Sequence, residues 1–185
     1  DQRNYFRIIQ SNSDLLLRLI NDILDLSRLE ANKVILTPED CDVVQLCRQA
    51  LSSVEMSRRE SGNRFVFETK TDSFVLQTDI QRLQQVLINL LTNAAKFTKN
   101  GTITLQFEVE KEKNRVLFAV ADTGCGIPKE KQKQVFERFE KLNEYAQGTG
   151  LGLSICKLTV DKWGGDIWID PDYEGGARFV VSHPL

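Results

Sequence analysis

A one-sided apolar pattern in the first 30 residues restricts what this chain can fold into. Apolar side chains recur there at the spacing of one helix face, at Tyr5, Ile9, Leu16, Leu19, Ile23 and Leu26, and the face is broadened by Leu15, Ile20 and Leu24. Such a helix is on the order of 40 Å long at ~1.5 Å per residue. Because it is too apolar on one face to be stable alone in water, the pattern predicts a partner helix or a second copy of the chain. Asn12 interrupts the face and either sets the register of that pairing or lies at its solvated edge.

Shorter periodic segments follow Asn32 and predict an α+β fold. We expect helices at 42–59 and 151–163, a short helix at 128–139, and a helix that begins with the capping pattern Thr78-Asp79-Ile80-Gln81 and ends near Phe97. The predicted strands are 34–36, 64–69, 74–78, 102–109, 116–121, 167–169 and 177–181. The second and third of these strands are predicted to form a hairpin. Three helices would then cover one face of a mainly antiparallel sheet.

Composition excludes several classes of partner. Hydrophobic residues make up 41% of the 185 residues and charged residues 27%, with a formal net charge of −2. These values are ordinary for a globular domain with an attached arm, and they argue against binding to nucleic acid or to an anionic membrane. No apolar run approaches the ~20 residues of a membrane helix. The start at Asp1, without a methionine, suggests that a longer protein is the parent.

The cysteines indicate neither a metal site nor a disulfide framework. The chain has four of them and no CxxC pair, at Cys41, Cys47, Cys125 and Cys156. A reducing, cytoplasmic environment fits this pattern best.

The helix that ends near Phe97 carries the first functional signal. At about 100° per residue, Gln85, Asn89, Asn93 and Lys96 fall in one narrow sector beside a wide apolar sector. Asparagine is a poor helix former, so a benefit outside the helix is expected to offset its cost. An amide oxygen suits Mg²⁺ and an ammonium suits phosphate, although a solvated helix face explains the same residues.

Glycine-bearing segments carry the second signal. Asp122-Thr123-Gly124-Cys125-Gly126-Ile127 follows a predicted strand, where a carboxylate can accept a hydrogen bond from an exocyclic amine or can simply close a turn. Gly148-Thr149-Gly150-Leu151-Gly152-Leu153 leads into a helix, whose N-terminus is a natural phosphate site, although loop flexibility also explains its glycines. Gly175-Gly176 precedes the last strand and can be a turn alone.

The order of these motifs resembles one family. Asn89-x-x-x-Asn93-Ala94-x-Lys96-Phe97, Asp122-x-Gly124-x-Gly126, Phe136-x-x-Phe139, Gly148-x-Gly150-x-Gly152 and Gly175-Gly176 are similar to the N, G1, F, G2 and G3 boxes of sensor histidine kinases, within the GHKL ATPase superfamily. Residues 21–30 resemble the end of the second helix of that family's dimerisation and phosphotransfer bundle. The resemblance implies a two-layer α/β sandwich at 33–185, which binds ATP, and a truncated bundle at 1–32.

The same resemblance implies a role for each site residue. Asn93 would coordinate Mg²⁺, Asn89 and Lys96 would contact the phosphates or the waters of the metal, and Asp122 would bind the adenine amine. Lys141 is a candidate for touching the terminal phosphate, and 139–149 would form a lid over the nucleotide. The remaining implied nucleotide contacts are Phe97, Gly124, Gly126, Ile127, Gly148, Thr149, Gly150, Leu151, Gly152 and Leu153.

The implied reaction is transfer of the γ-phosphoryl group of ATP to a histidine, for relay to a response regulator. His183 is the one histidine of the chain, and its place at the end of the last strand favours a packing role over a phosphoacceptor role. The family's acceptor would lie upstream of Asp1, so the isolated chain is expected to bind ATP without phosphorylating itself. Ala177 departs from the family, where a hydroxyl-bearing residue often follows the paired glycines. The bundle helix implies a homodimer, and the family allows a parent anchored in the inner membrane.

Two other hypotheses remain open from the sequence. A GHKL ATPase of the chaperone, topoisomerase or mismatch-repair type would share the motifs, but such proteins usually continue into a further domain that works with the ATP site. A non-enzymatic module could bind a response regulator or a second copy through the 5–29 face.

Overall fold

The computed structural model describes residues 2–141 and 148–185. Its helices and strands, in chain order, are α1 (Gln2–Glu30), β1 (Glu39–Asp42), α2 (Val43–Ser57), β2 (Arg64–Thr69), β3 (Val75–Thr78), α3 (Ile80–Phe97), β4 (Thr102–Glu110), β5 (Arg115–Asp122), α4 (Gly152–Lys162), β6 (Ile167–Ile169) and β7 (Arg178–Pro184). Short 3₁₀ turns occupy Arg59–Ser61, Lys111–Lys113, Lys129–Lys131 and Gln134–Phe136. Within the described ranges, no helix is both long and apolar enough to cross a membrane.

The main sheet has five strands in the order β2-β4-β5-β7-β6. β2 and β4 are parallel, and the other three pairs are antiparallel. Alternate residues of the two central strands face the helices and are buried, namely Ile103, Leu105 and Phe107 on β4 and Val116, Phe118 and Val120 on β5. The predicted α+β fold, with α2, α3 and α4 over one face of a mixed sheet, is confirmed.

The predicted hairpin between 64–69 and 74–78 is wrong. β2 pairs with β4, whereas β3 pairs with β1 in a separate two-stranded sheet. Asp42 explains the separation, because its carboxylate caps α2 and also accepts hydrogen bonds from Ser73 Oγ (2.8 Å) and Phe74 N (3.3 Å). That cap fastens the start of β3 to the start of α2 and leads it away from β2.

Three other local predictions are corrected. No strand forms at 34–36: Ile35 is exposed, while Val34 packs against the α1–α4 contact. The cap of α3 is Asp79, which accepts from Arg82 N at 3.1 Å, because Thr78 is used as the last paired residue of β3. The short helix expected at 128–139 is replaced by two 3₁₀ turns, as is common for short segments that lack the length for a stable α-helix.

Within the part of the chain that the structure describes, the long helix α1 packs on the other elements through its C-terminal end. Leu26 and Leu29 are buried in a cluster with Leu151 and Ile155 of α4. Most of its remaining apolar side chains are more than 40% exposed, including Tyr5, Phe6, Ile9, Leu16, Leu17 and Ile20. The expected one-sided apolar helix is therefore present, with much of its apolar surface open to solvent.

His183 has a packing role in the fold. It lies in β7 opposite Val116 of β5, is 5% exposed, and its ring centroid is 4.9 Å from that of Trp163. Burial lowers the pKa of His183, since the charged imidazolium is poorly solvated there.

Candidate functional site

Helix α3 turns its apolar sector into the core. Its polar residues lie at the edge of the helical layer and are called the amide stripe here: Gln85, Asn89, Asn93 and Lys96. Leu83, Val86, Leu87, Leu90, Leu91 and Ala94 are all buried, as the helical period predicts. Asn89, Asn93 and Lys96 are half-buried beside them. Asn89 Nδ2 donates to Gly152 O at 3.4 Å and to Cys156 Sγ at 3.7 Å, which joins the stripe to the start of α4.

Gln85 belongs to the same stripe but has a different partner. Its Nε2 donates to Asp25 Oδ2 of α1 at 3.1 Å, and Arg82 Nη1 lies 2.8 Å from Asp25 Oδ1. The N-terminal half of the stripe therefore contacts α1, and the half that begins at Asn89 borders the glycine segments.

Asp122 ends β5 and is 4% exposed. Its Oδ1 accepts from Gly124 N at 2.9 Å and from Ala177 N at 3.2 Å, while within the described ranges no residue donates to Oδ2. Burial raises the pKa of Asp122, and the two backbone hydrogen bonds oppose that rise. The turn-closing interpretation thus accounts for one carboxylate oxygen and leaves the other available to a ligand.

The backbone around Asp122 is packed too closely for larger residues. A Cβ on Gly176 would lie 2.4 Å from Asp122 O, and one on Gly124 would lie 2.4 Å from Phe97 O. Tyr173, which the sequence did not single out, donates from its hydroxyl to Asp122 O at 2.9 Å. These contacts hold the main chain at Asp122 in place.

A small pocket opens in front of this carboxylate. It is narrow, with about 10 Å³ of free volume, and is lined by Asn93, Phe97, Asp122, Gly126, Ile127, Ala177 and Phe179. Ligand pockets usually hold ~300–1,000 Å³, so a flat ring would fit here only after the lining side chains move apart. Five of the residues singled out from the sequence line this pocket: Asn93, Phe97, Asp122, Gly126 and Ile127.

The glycine loop before α4 lies against the amide stripe. A Cβ on Gly148 would be 2.8 Å from Lys96 Nζ, and one on Gly152 would be 3.8 Å from Asn89 Nδ2. Gly148 and Gly150 both have positive φ, at 131° and 72°, which other residues rarely adopt. Leu153 packs against the main core.

Leu151 is placed differently from its neighbours in the loop. Its side chain is fully buried against Leu26 and Leu29 of α1 rather than facing the pocket. Only the backbone of Leu151 is therefore available for a ligand.

Lys96 lies in an electropositive environment. Burial lowers its pKa, and the charges of Lys141 and Arg58 lower it further. A desolvated ammonium beside two other cations is a favourable place for an anion, because a bound anion would relieve both penalties. The centre of the expected lid, 142–147, lies outside the described residues.

Comparison with known proteins identifies the family. The family model described as histidine kinase-, DNA gyrase B-, and HSP90-like ATPase matches residues 78–185. The chain belongs to this family. It is 38% identical over 190 residues to the circadian input-output histidine kinase CikA of Synechococcus elongatus, and this match covers 99% of the chain and 25% of the kinase.

Solved structures of histidine kinases have the same fold. Full-length ShkA in complex with AMPPNP matches with a TM-score of 0.87 and 31% identity over 99% of this chain and 38% of that one. Histidine kinase ThkA in complex with the response regulator protein TrrA matches with a TM-score of 0.79 and 29% identity over 99% and 51%. The resemblance to sensor histidine kinases is confirmed, and the chain spans a quarter of the length of the circadian kinase.

These matches also bear on the second hypothesis drawn from the sequence, that of another kind of GHKL ATPase. The chain contains the catalytic ATPase domain of a histidine kinase, rather than that of a chaperone, topoisomerase or mismatch-repair protein. Contacts from α1, at Asp22 and Asp25, were not foreseen from the sequence. Thr149 is 127 residues from its partner Asp22, and no local spacing could have connected them.

Proposed function

We propose that this chain binds Mg-ATP and transfers the γ-phosphoryl group to a histidine on a bundle helix outside the chain, for relay to an aspartate of a response regulator. The observation that carries the proposal is the convergence of three separate segments. Asn93 of α3, the Asp122 segment and the Gly176-Ala177 segment border one pocket, and Asn89 joins the glycine loop to the same helix.

The groups that line the pocket suit the adenine ring. Oδ2 of Asp122, which accepts from no residue in the described ranges, offers an acceptor to an exocyclic amine, and Phe97 and Ile127 offer apolar contact to a flat base. Gly124 and Gly126 let the backbone pack closely beside the pocket, because a Cβ would lie 2.4 Å from Phe97 O at the first and 3.2 Å from Gly176 O at the second. In this proposal Asp122 recognises adenine and orients the nucleotide.

The stripe and the glycine loop suit the phosphates and a metal. The described residues contain no group of three or more His, Cys, Asp and Glu side chains that could hold a metal by themselves. A magnesium ion here would therefore be held by the amide oxygen of Asn93 together with the phosphates and water. When bound, Mg²⁺ would neutralise phosphate charge during the transfer.

The other phosphate contacts come from charged side chains and backbone amides. Lys96 holds its ammonium against the loop at Gly148, with Asn89 two turns away on α3 and the charge of Lys141 close enough to lower the pKa of Lys96. The backbone amides of 148–152 and Leu153 at the start of α4 complete the proposed set. In phosphoryl transfer, positioning and charge neutralisation supply most of the catalysis, which is what these groups would provide.

The proposed division of the chain places 1–32 in the dimerisation and phosphotransfer bundle and 33–185 in the ATP-binding domain. Asn32, at a positive φ of 56°, lies two residues after the end of α1. The exposed apolar face of α1 supports pairing with bundle helices of a second copy, and the ThkA–TrrA complex supports a response regulator as the partner. Removing 1–30 is expected to retain ATP binding and to reduce self-association, and loss of ATP binding would contradict the division.

Calorimetric titration tests the nucleotide site directly. AMPPNP with Mg²⁺ should bind to the wild-type chain, more weakly without the metal. Asn93→Ala should lose the Mg²⁺-dependent binding of nucleotide, and Asp122→Ala should remove most of the binding heat. Gln84→Ala is the matched control, since Gln84 lies on α3 outside the stripe. Absence of heat with any adenine nucleotide would end the proposal.

Phosphotransfer needs its own test. With radiolabelled ATP, this chain alone should stay unlabelled, and a longer chain that includes the preceding bundle helix should become labelled. Label on His183 of the isolated chain would contradict the proposal. Asn93→Ala would also distinguish the nucleotide-binding role from the protein-binding role, because that variant should lose nucleotide binding while it keeps its protein partners.

A further inference from the structure

A carboxylate of α1 contacts the loop that is proposed to bind phosphates. Thr149 Oγ1 donates to Asp22 Oδ2 at 2.7 Å, across 127 residues of chain. The same hydroxyl accepts from Leu151 N at 3.3 Å. Because a hydroxyl has one donor and two acceptor positions, the bond to Asp22 turns its proton toward α1 and leaves a lone pair for the amide of Leu151.

The loop depends on this hydroxyl for its conformation. Thr149 is flanked by Gly148 and Gly150, which have no side chains and occupy positive φ. Glycine loses more conformational freedom on ordering than any other residue, so a Gly-Thr-Gly segment stays ordered only if a side-chain contact holds its backbone in place. Thr149 supplies the one side chain of this tripeptide that can make such a contact.

Asp22 itself is held in place by the neighbouring turns of α1. Leu26 and Leu29 are buried against Leu151 and Ile155, and one turn away Asp25 accepts from Arg82 at 2.8 and 2.9 Å. The carboxylate is therefore presented to the loop by a docked helix rather than by a freely moving side chain. A charge-assisted hydrogen bond from such a support is stronger than one between neutral groups.

We infer that Asp22 is a positioning residue for the phosphate loop and that it acts through the hydroxyl of Thr149. Docking of α1 then favours the binding of phosphate-bearing nucleotides. The inference rests on the proposed function, since it deepens the assignment of 148–152 to the phosphates. Its physical basis is preorganisation: a loop already ordered by Asp22 loses less entropy when a ligand binds. Coupling of this kind is reciprocal, so a bound nucleotide must also favour the docked helix.

The two parts of a nucleotide distinguish this role from a merely structural one. Adenosine reaches the Asp122 pocket without involving the loop, whereas ADP requires both. A positioning role predicts that loss of the Asp22–Thr149 bond weakens ADP and leaves adenosine unchanged. A general loss of stability would weaken both ligands together.

The experiment compares ADP with Mg²⁺, measured by calorimetry, and adenosine, measured by ligand-observed NMR. Thr149→Val and Asp22→Ala should each weaken ADP by about fivefold or more, and Thr149→Ser should stay within about twofold of the wild-type chain. The double variant should be no weaker than Thr149→Val alone, because that substitution already removes the bond to Asp22. Asp14→Ala is the control, since it removes an exposed carboxylate from α1 away from the loop.

Each outcome separates the inference from the function on which it rests. A wild-type chain that binds no ADP would overturn both. ADP binding that is unchanged in Asp22→Ala and Thr149→Val would overturn the positioning role and leave the proposed function standing. Equal losses for ADP and adenosine, or additive losses in the double variant, would also overturn it. Removing 1–30 should weaken ADP by the same factor as Asp22→Ala while binding persists.

Discussion

The two ends of the proposed nucleotide site are held in different ways. At the base end, Asp122 is fixed by backbone amides of Gly124 and Ala177 and by the hydroxyl of Tyr173. At the phosphate end, the glycine loop is fixed by side chains from two helices, through Asn89 of α3 and Asp22 of α1. The base end is thus part of the sheet itself, and the phosphate end depends on how the helices are arranged.

The difference has a functional meaning. A carboxylate held by backbone hydrogen bonds of the sheet is expected to keep its position when α1 moves, whereas a loop held by α1 is expected to respond. A sensor that acts by moving a bundle helix would therefore change the phosphate end while leaving base recognition alone. This comparison can be tested by changing one end at a time.

Added volume should have the largest effect, and only at the base end. In Gly176→Ala the new Cβ would lie 2.4 Å from Asp122 O and 2.8 Å from Gly124 N, so backbone must move. We expect a loss of about 3 kcal/mol in the free energy of unfolding, together with loss of adenosine binding. Gly152→Ala is the matched variant, because its Cβ would meet Asn89 at 3.8 Å, an ordinary contact. Chemical denaturation should find Gly152→Ala as stable as the wild type; equal losses in the two variants would contradict the comparison.

Loosening α1 should have the next largest effect. Leu29→Ala removes a side chain that is 6% exposed and packed on Leu151 and Ile155, at a cost of about 2 kcal/mol for docking of the helix. Hydrogen exchange should rise along α1 and the start of α4, with exchange in β5 unchanged. Leu17→Ala, at a position 60% exposed, should change exchange little. Faster exchange in β5 of Leu29→Ala would show that the two ends are not independent.

Removing the ion pair between α1 and α3 should have a smaller effect. The Arg82 and Asp25 side chains are 20% and 19% exposed, so solvent screens the pair only in part. Asp25→Asn should weaken docking by about 1 kcal/mol in low salt, and less in high salt. Asp161→Asn, which breaks the more exposed pair with Lys157, should cost about 0.3–0.5 kcal/mol. Denaturation at two salt concentrations checks both, and an unchanged Asp25→Asn would remove this pair from the α1 contact.

The base end was largely predictable from the sequence because it depends on local order. The helical period of α3 placed its apolar residues in the core and Asn93 at the edge, and Asp122 followed from its place at the end of a strand. The paired glycines before β7 were visible as well, although Tyr173 had no spacing that marked it. What failed nearby were choices of partner: alternation defined β2 and β3 as strands without saying that Asp42 would direct β3 to β1.

The phosphate end was less predictable because its contacts are between distant residues. The glycines of 148–152 are a local signal, and they were found. Their support by Asp22 is a tertiary contact that no period or spacing contains, and the burial of Leu151 under Leu29 has the same origin. The cap of α3 differs by one residue for a related reason, since the pairing of Thr78 with Glu39 left Asp79 as the cap.

The smallest effect on stability should come from Asp122→Asn, and its sign should be opposite to the others. Burial raises the pKa of Asp122, so the folded chain holds that proton more tightly than the unfolded chain. The resulting stability is complete below the ordinary pKa of about 3.9 and is lost as pH rises through the raised folded value. Asn keeps an oxygen for the amides of Gly124 and Ala177 and carries no charge, so the variant should be slightly more stable than the wild type at neutral pH.

Adenosine binding should move in the other direction in the same variant. The amide nitrogen of Asn would face the adenine amine with a second donor in place of the Oδ2 acceptor, so affinity should fall although the fold gains stability. Denaturation and adenosine titration across pH test both halves, and the stability difference between variant and wild type should disappear on acidification. A loss of stability in Asp122→Asn at neutral pH would mean that the charged carboxylate stabilises the sheet. The position of this side chain would then depend on its charge and not on the backbone hydrogen bonds alone.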